Sequence, residues 1–500
     1  MKSWRTFAAL AAVLGLCLPA ARHADADVSE DRTLSRQAFL AAALENDPDF
    51  QSALARYLQT TYDVLSSRAI ADWTLRASAG VYHFEAVGSS AFGGTDRDSL
   101  RYEIGLQKLF PAAGTRLDLK HGNSLTRADI DPSFAAFLDP EETSNPVTTL
   151  AVVQPLLKNA FGLADRYPLA AAALQTQAAR HDVREAWENR AAELEKTYLS
   201  WVGDHATVRA YRRIVDELAR LEAQVRRKYR VGVADEKDWV QAEENLLQYR
   251  SRLLQAEGEY VNRRLEIAAL MAGAAPNTAA AAALRPVEVP DRRPDAADLP
   301  EAKPEELFAV RKLDLLRKQV ELQRRVAAND TLPALEAVGE YSVKGQSEDL
   351  DGGFAQAAEK QDYSLGLRAE LPLAGYRSRG DLGRAEAGLR EIDANRDATR
   401  RRLAVAAPQL RESIRRMEAT LAIQEKLVSK SERKLEIDKE KYGIGRVDIY
   451  YLIDSQNGLT RARLELDQNR VRLERMKIDY LALVDRLLED YPDLRDRLAP

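Results

Sequence analysis

The chain has 500 residues and a formal net charge of -5, with 30% charged and 7% aromatic residues. So small a net charge for this length does not indicate a nucleic-acid partner, and charge-rich sequence with little glycine and proline is typical of long helices. The only cysteine, Cys17, lies in an N-terminal apolar run. The rest of the chain therefore has no thiol for a disulfide framework, a thiolate metal site or a cysteine nucleophile.

The N-terminus predicts a secretory signal peptide over residues 1–26. Lys2 and Arg5 precede an apolar run at 7–18, and Ala24-Asp25-Ala26 forms a small-residue cleavage motif. The run is shorter than the roughly 20 residues that a membrane-spanning helix needs. An uncleaved anchor or a buried helix is the alternative. Since no later segment is long and apolar enough, helices would not take the chain into a membrane.

Apolar and polar residues alternate in segments that lie between the helical stretches. Examples are residues 101–107 and 116–120 in the first half, and 335–343 and 363–371 in the second. This period of two predicts strands with one apolar and one polar face. A half-buried sheet on a soluble core would alternate in the same way, but no remaining sequence resembles such a core. We therefore expect strands of an outer-membrane β-barrel, at about 73–155 and 332–372.

Two long helical hairpins account for most of the remaining sequence. From about 167 to 229, and again from 377 to 441, apolar residues recur at steps of three and four. Some 60 residues in a helix make a rod of roughly 90 Å. Pro408 interrupts the second rod, where we expect a kink. Glycine-containing breaks predict the hairpin tips, at 229–238 and 442–451.

The two hairpins repeat one plan at a shift of 213 residues. Lys228, Tyr229 and Gly232 align with Lys441, Tyr442 and Gly445. Apolar residues that follow each tip at steps of seven also align, which predicts a packed helical seam. We expect a first repeat at 27–273, a linker at 274–304, a second repeat at 305–490 and a short tail at 491–500. One seam leaves the outer sides of each hairpin uncovered, so helices from other subunits should flank it.

The histidines do not favour an enzyme or a metal site. Those beyond the signal peptide are scattered without metal-ligand spacing, and the sequence has no phosphate-binding loop or nucleophile elbow. They are His83, His121, His181 and His205. We expect no catalytic activity, no cofactor and no metal.

Several stretches resemble the TolC family of outer-membrane efflux and secretion ducts. TLSRQAFLAAALENDPDFQSA at 33–53 resembles the opening helix of that family. LAVVQPLLKNAFG at 150–162 and LGLRAELPLAGYRSRGDLGRAEAGL at 365–389 resemble the passages from strand to helix in its two halves. YRVG and YGIG resemble its hairpin tips. The order and duplication of these motifs extend the resemblance over nearly all of residues 32–488.

The resemblance implies a mainly α-helical fold with a β-barrel part. Three copies would form a homotrimer with a twelve-stranded barrel, to which each chain contributes four strands. A twelve-helix periplasmic tunnel would continue the barrel for about 100 Å, a length similar to that estimated above from the helix rise per residue. Residues 101–122 look like an additional hairpin, which leaves the strand count of the first half open.

The function implied is that of an exit duct, for efflux of small molecules or for type I protein secretion. It would lie in the bacterial outer membrane with a periplasmic extension. The partners implied are a periplasmic adaptor and an inner-membrane transporter of RND or ABC type. The alternative is a soluble periplasmic coiled-coil scaffold or adaptor without a pore, which explains the rods but not the alternating strands.

The resemblance also assigns roles to residues near the tips. Asp454 and Tyr451 occupy positions where the family has two aspartates around the pore entrance, so only Asp454 matches. Asp238 and Tyr442 occupy positions that link adjacent hairpins in the closed state, where a phenol would donate to a carboxylate. Arg446 stands one residue before the position of a second link. The alternatives are that Asp454 is an exposed helix residue and that Tyr442 only packs its ring.

The turns themselves are the expected docking surface for the adaptor. Their residues are Val231, Gly232, Val233, Ile444 and Gly445.

Overall fold

The computed structural model describes residues 32–85, 96–128, 142–273, 281–287, 293–346 and 360–491. The predicted signal peptide, parts of the predicted linker and nearly all of the predicted tail lie outside these residues. Within them, no helix is both long and apolar enough to cross a membrane.

The fold combines long helices with one large antiparallel sheet. The elements of the first half are β1 (Arg32–Leu34), α1 (Arg36–Asn46), α2 (Pro48–Ser67), β2 (Trp73–Glu85), β3 (Asp96–Phe110), β4 (Thr115–Ala128), β5 (Glu142–Pro155), α3 (Leu163–Arg230) and α4 (Glu236–Ala272). Those of the second half are β6 (Leu284–Pro286), α5 (Phe308–Asn329), β7 (Ala334–Lys344), β8 (Lys360–Glu370), α6 (Tyr376–Gly443) and α7 (Ile449–Leu483). The short strands β1 and β6 pair in parallel.

The large sheet has the strand order β2-β3-β4-β5-β7-β8, and every neighbouring pair is antiparallel. Phe110 pairs with Thr115 at the closed end of the β3–β4 hairpin. The additional hairpin suggested by residues 101–122 is therefore present. The resemblance implied four barrel strands per chain, and this number was wrong. The large sheet has six described strands, four from the first half of the chain and two from the second.

The two faces of this sheet differ sharply in polarity. Residues directly opposite each other on neighbouring strands share a face. One row across all six strands is apolar: Leu75, Leu106, Leu119, Leu150, Tyr341 and Tyr363. The adjacent row on the other face is largely polar: Arg76, Gly105, Lys120, Thr149, Ser342 and Asp362. The alternation in the sequence thus predicted both the strands and their faces.

The two long hairpins have matching dimensions. Helices α3 and α6 each contain 68 residues, and both their first and their last residues differ by the 213 positions that align the tips. At 1.5 Å per residue each is about 100 Å long. Helix α6 continues through Pro408 without ending. Helices α3 and α7 pack together at the centre, while α4 and α6 form the two outer sides.

The main core lies where α1, α2, α3 and α7 meet, far from the tips. Trp187 stacks on Phe50 with ring centroids 3.9 Å apart, and Tyr198 stacks on Phe39 at 5.7 Å. The Tyr198 hydroxyl donates to the Leu34 carbonyl oxygen at 2.7 Å. These buried aromatic residues fix the middle of α3 against the N-terminal helices.

Candidate functional site: the tips of the long hairpins

Both hairpin tips use the same backbone turn. Gly232 and Gly445 have φ values of 74° and 72°, in the left-handed region that favours glycine. The Gly232 N–H donates to the Tyr229 carbonyl at 2.9 Å, and the Val233 N–H donates to the Lys228 carbonyl at 2.8 Å. The second tip has the equivalent bonds, at 3.1 and 2.9 Å. This pair of bonds ends a helix as a Schellman motif, so each hairpin closes with its last carbonyls satisfied.

An apolar cluster joins the two tips within one chain. Val225 and Ala242 come from the first hairpin, and Ile449 and Ile453 come from the second; all four are buried. Tyr442 packs against this cluster. The tips are therefore held together by burial of apolar surface, which is not directional and does not depend on a single bond.

Tyr442 contacts a charged group that the sequence did not single out. The Nζ atom of Lys228 lies 4.4 Å from the centroid of its ring, a cation–π arrangement between the two hairpins. Burial raises the pKa of Tyr442, and the nearby carboxylates of Asp238 and Asp448 raise it further. Among the described residues, no hydrogen bond joins Tyr442 to Asp238. The structure thus brings the two predicted gate residues near each other, while the contact on the ring comes from Lys228.

The remaining predicted residues are on the surface of the tips. The carboxylate of Asp454 pairs with Lys434 Nζ at 3.1 Å, and both side chains are more than half exposed. Such a pair contributes about 0–1 kcal/mol, but it places a positive charge beside the carboxylate. Tyr451 is exposed and meets Tyr450 edge to face, with centroids 5.8 Å apart. The Arg446 side chain is also exposed.

The predicted docking surface is exposed and apolar. Val231, Val233 and Ile444 are 73%, 73% and 67% exposed, and they flank the two glycine turns. Large apolar side chains at such exposure commonly mark an interaction surface when they cluster.

A second group of unusual residues lies far from the tips, where the first half of α3 meets the segment after α7. Glu188 is 2% exposed, and its two carboxylate oxygens accept the N–H groups of Leu487 and Leu488 at 3.1 Å each. Burial raises the pKa of Glu188 to about 8. Burial likewise raises the pKa of Asp485, which accepts the Phe308 N–H, to about 7. No motif in the sequence indicated this cluster.

A buried ion network lies close by. Lys477 is fully buried, and its Nζ lies 3.3 Å from Asp295 and 3.4 Å from Glu418. Glu195, also fully buried, accepts the Tyr491 hydroxyl at 2.6 Å and pairs with Arg293. These contacts attach the segment at 293–295 and Tyr491 to the long helices. The described part of the chain contains no group of histidine, cysteine and acidic residues that could hold a metal ion.

No family model matches this sequence, and no curated protein matches it. Solved structures do match. The outer membrane protein VceC of Vibrio cholerae is 15% identical, covers 90% of this chain and 96% of its own, and has a TM-score of 0.67. The CmeC outer membrane channel of Campylobacter jejuni is 14% identical to this chain. The match covers 93% of this chain and 89% of CmeC, with a TM-score of 0.64. The open state of the MtrE outer membrane channel of Neisseria gonorrhoeae is 16% identical to this chain. The match covers 90% of this chain and 89% of MtrE, with a TM-score of 0.63.

At such low identity the likeness concerns the fold. This chain has the fold of outer-membrane channels over about 90% of its length, and the mainly helical fold with a sheet part that the resemblance implied is confirmed. The number of strands in the large sheet, six among the described residues, comes from the structure of this chain and not from the comparison.

Proposed function

We propose that the chain is the outer-membrane exit duct of an export system, with its helical rods in the periplasm. The observation that carries the proposal is the apolar face of the sheet, which no other part of the described chain covers. Tyr363 and Leu365 on β8 are 87% and 88% exposed. A sheet with one bare apolar face and one polar face fits a barrel whose outside contacts lipid and whose inside contacts water. The fold shared with outer-membrane channels supports this assignment.

The duct would be a homotrimer. Three copies of the four long helices supply the twelve that the resemblance implies for the tunnel. Three copies of the sheet supply eighteen strands instead of twelve, because each chain contributes six. An even number of strands per chain keeps every junction antiparallel when β8 of one copy meets β2 of the next. Since barrel diameter grows with strand number, the outer end would be wider than in a duct with four strands per chain.

The tips would form the periplasmic entrance and dock the partners. We infer a periplasmic adaptor that binds the exposed apolar turns, and an inner-membrane transporter of RND or ABC type that supplies energy. That transporter would set the cargo, either small molecules or a type I secreted protein. The Lys228–Tyr442 contact and the apolar cluster around Val225 would hold the entrance closed, with Asp238 as a further contact. Asp454, beside Lys434, would give the entrance a weaker preference for cations than an unpaired aspartate.

Fractionation and conductance test the proposal. The protein should sediment with outer membranes, resist extraction by carbonate, cross-link as a three-chain species in mild detergent and conduct ions in a planar bilayer. Release with the periplasmic fraction as a monomer without conductance would refute the duct and favour the soluble scaffold.

The strand number has its own test. Deleting residues 96–128 removes β3 and β4 together, which leaves the alternation of faces between β2 and β5 unchanged. Images of the purified oligomer along the pore axis should show a barrel narrower by about a third, while the helical end keeps its diameter. An unchanged barrel diameter would show that β3 and β4 lie outside the barrel wall.

A further inference from the structure

Charge is distributed unevenly over the polar face of the large sheet. Strand β5 places no charged side chain on this face, and β2 places only Arg76 there. Strands β7 and β8 together contribute three basic and four acidic side chains, so the acids slightly outnumber the bases. The additional hairpin of β3 and β4 contributes four basic and two acidic side chains: Arg97, Arg101, Arg116, Lys120, Glu103 and Asp118. The excess of positive charge therefore lies mostly on this hairpin.

The four basic residues of the hairpin form an evenly spaced row. In the register of the two strands, Lys120 lies opposite Gly105 and Arg116 lies opposite Leu109. Measured along β3, the basic side chains therefore fall at positions 97, 101, 105 and 109, each four residues from the next. At about 3.4 Å per residue, each step is about 14 Å long. The row extends over nearly the whole paired length of the hairpin.

The two acids on this face of the hairpin already have partners. A carboxylate oxygen of Glu103 lies 3.9 Å from Nζ of Lys120, so these two charges offset each other. The carboxylate of Asp118 accepts a hydrogen bond from the side-chain amide of Gln107 at 2.9 Å. Neither acid therefore neutralises the arginines of the row.

The three arginines keep their charges available to a solute. Arg97, Arg101 and Arg116 are exposed and form no ion pair with any residue that the structure describes. The guanidinium of Arg101 lies over the ring of Tyr82, 5.1 Å from its centroid, which positions the group without neutralising it. A strand facing water does not need such charges, because Thr149 and other uncharged residues suffice on the same face of β5.

The chemistry of this row favours anions. The planar fork of a guanidinium group matches the oxygens of carboxylate, sulfonate and phosphate groups. Several weak sites in succession allow a solute to enter one site and leave from the next, as conduction requires. At the tips, the carboxylate of Asp454 lies 3.1 Å from Nζ of Lys434, so this acid opposes the entry of an anion less than an unpaired aspartate would.

We propose that the additional hairpin lines the exit of the duct with an anion path, in which Arg116, Arg101 and Arg97 hold an anionic solute in turn. The cargo that this path fits is a small organic molecule with a carboxylate, sulfonate or phosphate group. The inference rests on the proposed function, because a closed barrel is what turns the polar face of the sheet toward a lumen. It deepens that function by naming the class of substrate.

Ion selectivity in a planar bilayer tests the path. The reversal potential under a potassium chloride gradient gives the anion-to-cation permeability ratio, and dilute salt of about 10 mM extends the Debye length to about 30 Å, into the lumen. Arg97→Gln, Arg101→Gln and Arg116→Gln should each lower this ratio about twofold, the effect of one charge acting over about 10 Å of water. The triple variant should lower it further than any single one.

Arg127→Gln is the matched control. Arg127 lies on the same strand as Arg116 but on the opposite face of the sheet, where it pairs with Glu142. Its replacement removes the same charge from the outside of the barrel and should leave the permeability ratio unchanged. Substitutions on the lumen face of a barrel are tolerated, so the glutamine variants of the row should assemble.

Block by a polyanion tests binding separately from selectivity. Inositol hexakisphosphate carries several phosphate groups and should reduce the current through the wild-type channel by contacting the row. The block should be lost in the triple variant and kept in Arg127→Gln. If the triple variant does not assemble, the three single variants should each weaken the block, and unchanged block in all three would contradict the proposal.

The outcomes separate this proposal from the function on which it rests. A conducting channel whose permeability ratio and block are the same in the wild type and in the glutamine variants would retain the duct and reject the anion path. Absence of conductance from the wild-type oligomer and from every variant would reject the duct itself.

Discussion

Glu188 should make the folded protein less stable as pH rises. Its carboxyl group is buried, and its pKa is raised from 4.5 to about 8 because burial disfavours the charged form. Between these two values the folded chain binds the proton more strongly than the unfolded chain. The stabilisation is therefore fully present below the unfolded pKa and is lost as pH rises through the folded pKa.

The magnitude follows from the shift. A pKa unit corresponds to about 1.4 kcal/mol, so the shift from 4.5 to about 8 corresponds to roughly 5 kcal/mol as an upper bound. Asp485 lies in the same cavity, and its charge raises the pKa of Glu188. Because two such groups titrate as a coupled pair, their contributions do not add simply.

The test compares thermal unfolding of the helical circular dichroism signal at about pH 5 and about pH 9, on either side of the folded pKa. The wild-type protein should unfold at a lower temperature at the higher pH. Glu188→Gln removes the charge and should be more stable than wild type there. At the lower pH it should be less stable by about 0.5–1.5 kcal/mol, because its amide group cannot accept both N–H groups of Leu487 and Leu488.

Glu193→Gln is the matched control, since Glu193 lies on the same helix but is 62% exposed. It should leave the pH dependence unchanged. The reasoning fails if Glu188→Gln follows the wild type at both pH values, or if the wild type is the more stable at high pH.

Three further predictions concern the sheet and the tips. Leu365→Arg on the apolar face should cost about 2–4 kcal/mol near mid-membrane and reduce the oligomer recovered from outer membranes, whereas Ser364→Arg on the polar face should assemble normally. Tyr442→Phe keeps the ring under Lys228 and should leave bilayer conductance nearly unchanged, whereas Lys228→Met removes the charge and should raise the conductance. The opposite result would mean that the Tyr442 hydroxyl and Asp238 hold the gate. Gly232→Ala should cost about 1–2 kcal/mol of local stability, seen as faster amide exchange at the first tip only. The cost comes from the backbone, because the φ of Gly232 is 74°, and not from a steric clash, because an added Cβ meets nothing described within 4 Å.

The sequence predicted the elements whose pattern is local. Strands β7 and β8 follow from the strict alternation at 335–343 and 363–371, because the side-chain period of a strand is two. The tips follow from Gly232 and Gly445, because a left-handed turn favours glycine wherever it occurs. The repeat then implied a second copy of each feature, and the lengths of α3 and α6 agree with it.

The contacts that the sequence did not predict are long-range. Lys228 and Tyr442 are far apart in the chain, and their contact depends on how two hairpins lie side by side. Charged residues such as Glu188 and Lys477 are usually exposed, and no motif in the sequence indicated that these two are buried. Both are buried because distant segments fold over them: residues 487–488 over Glu188, and residues 293–295 beside Lys477.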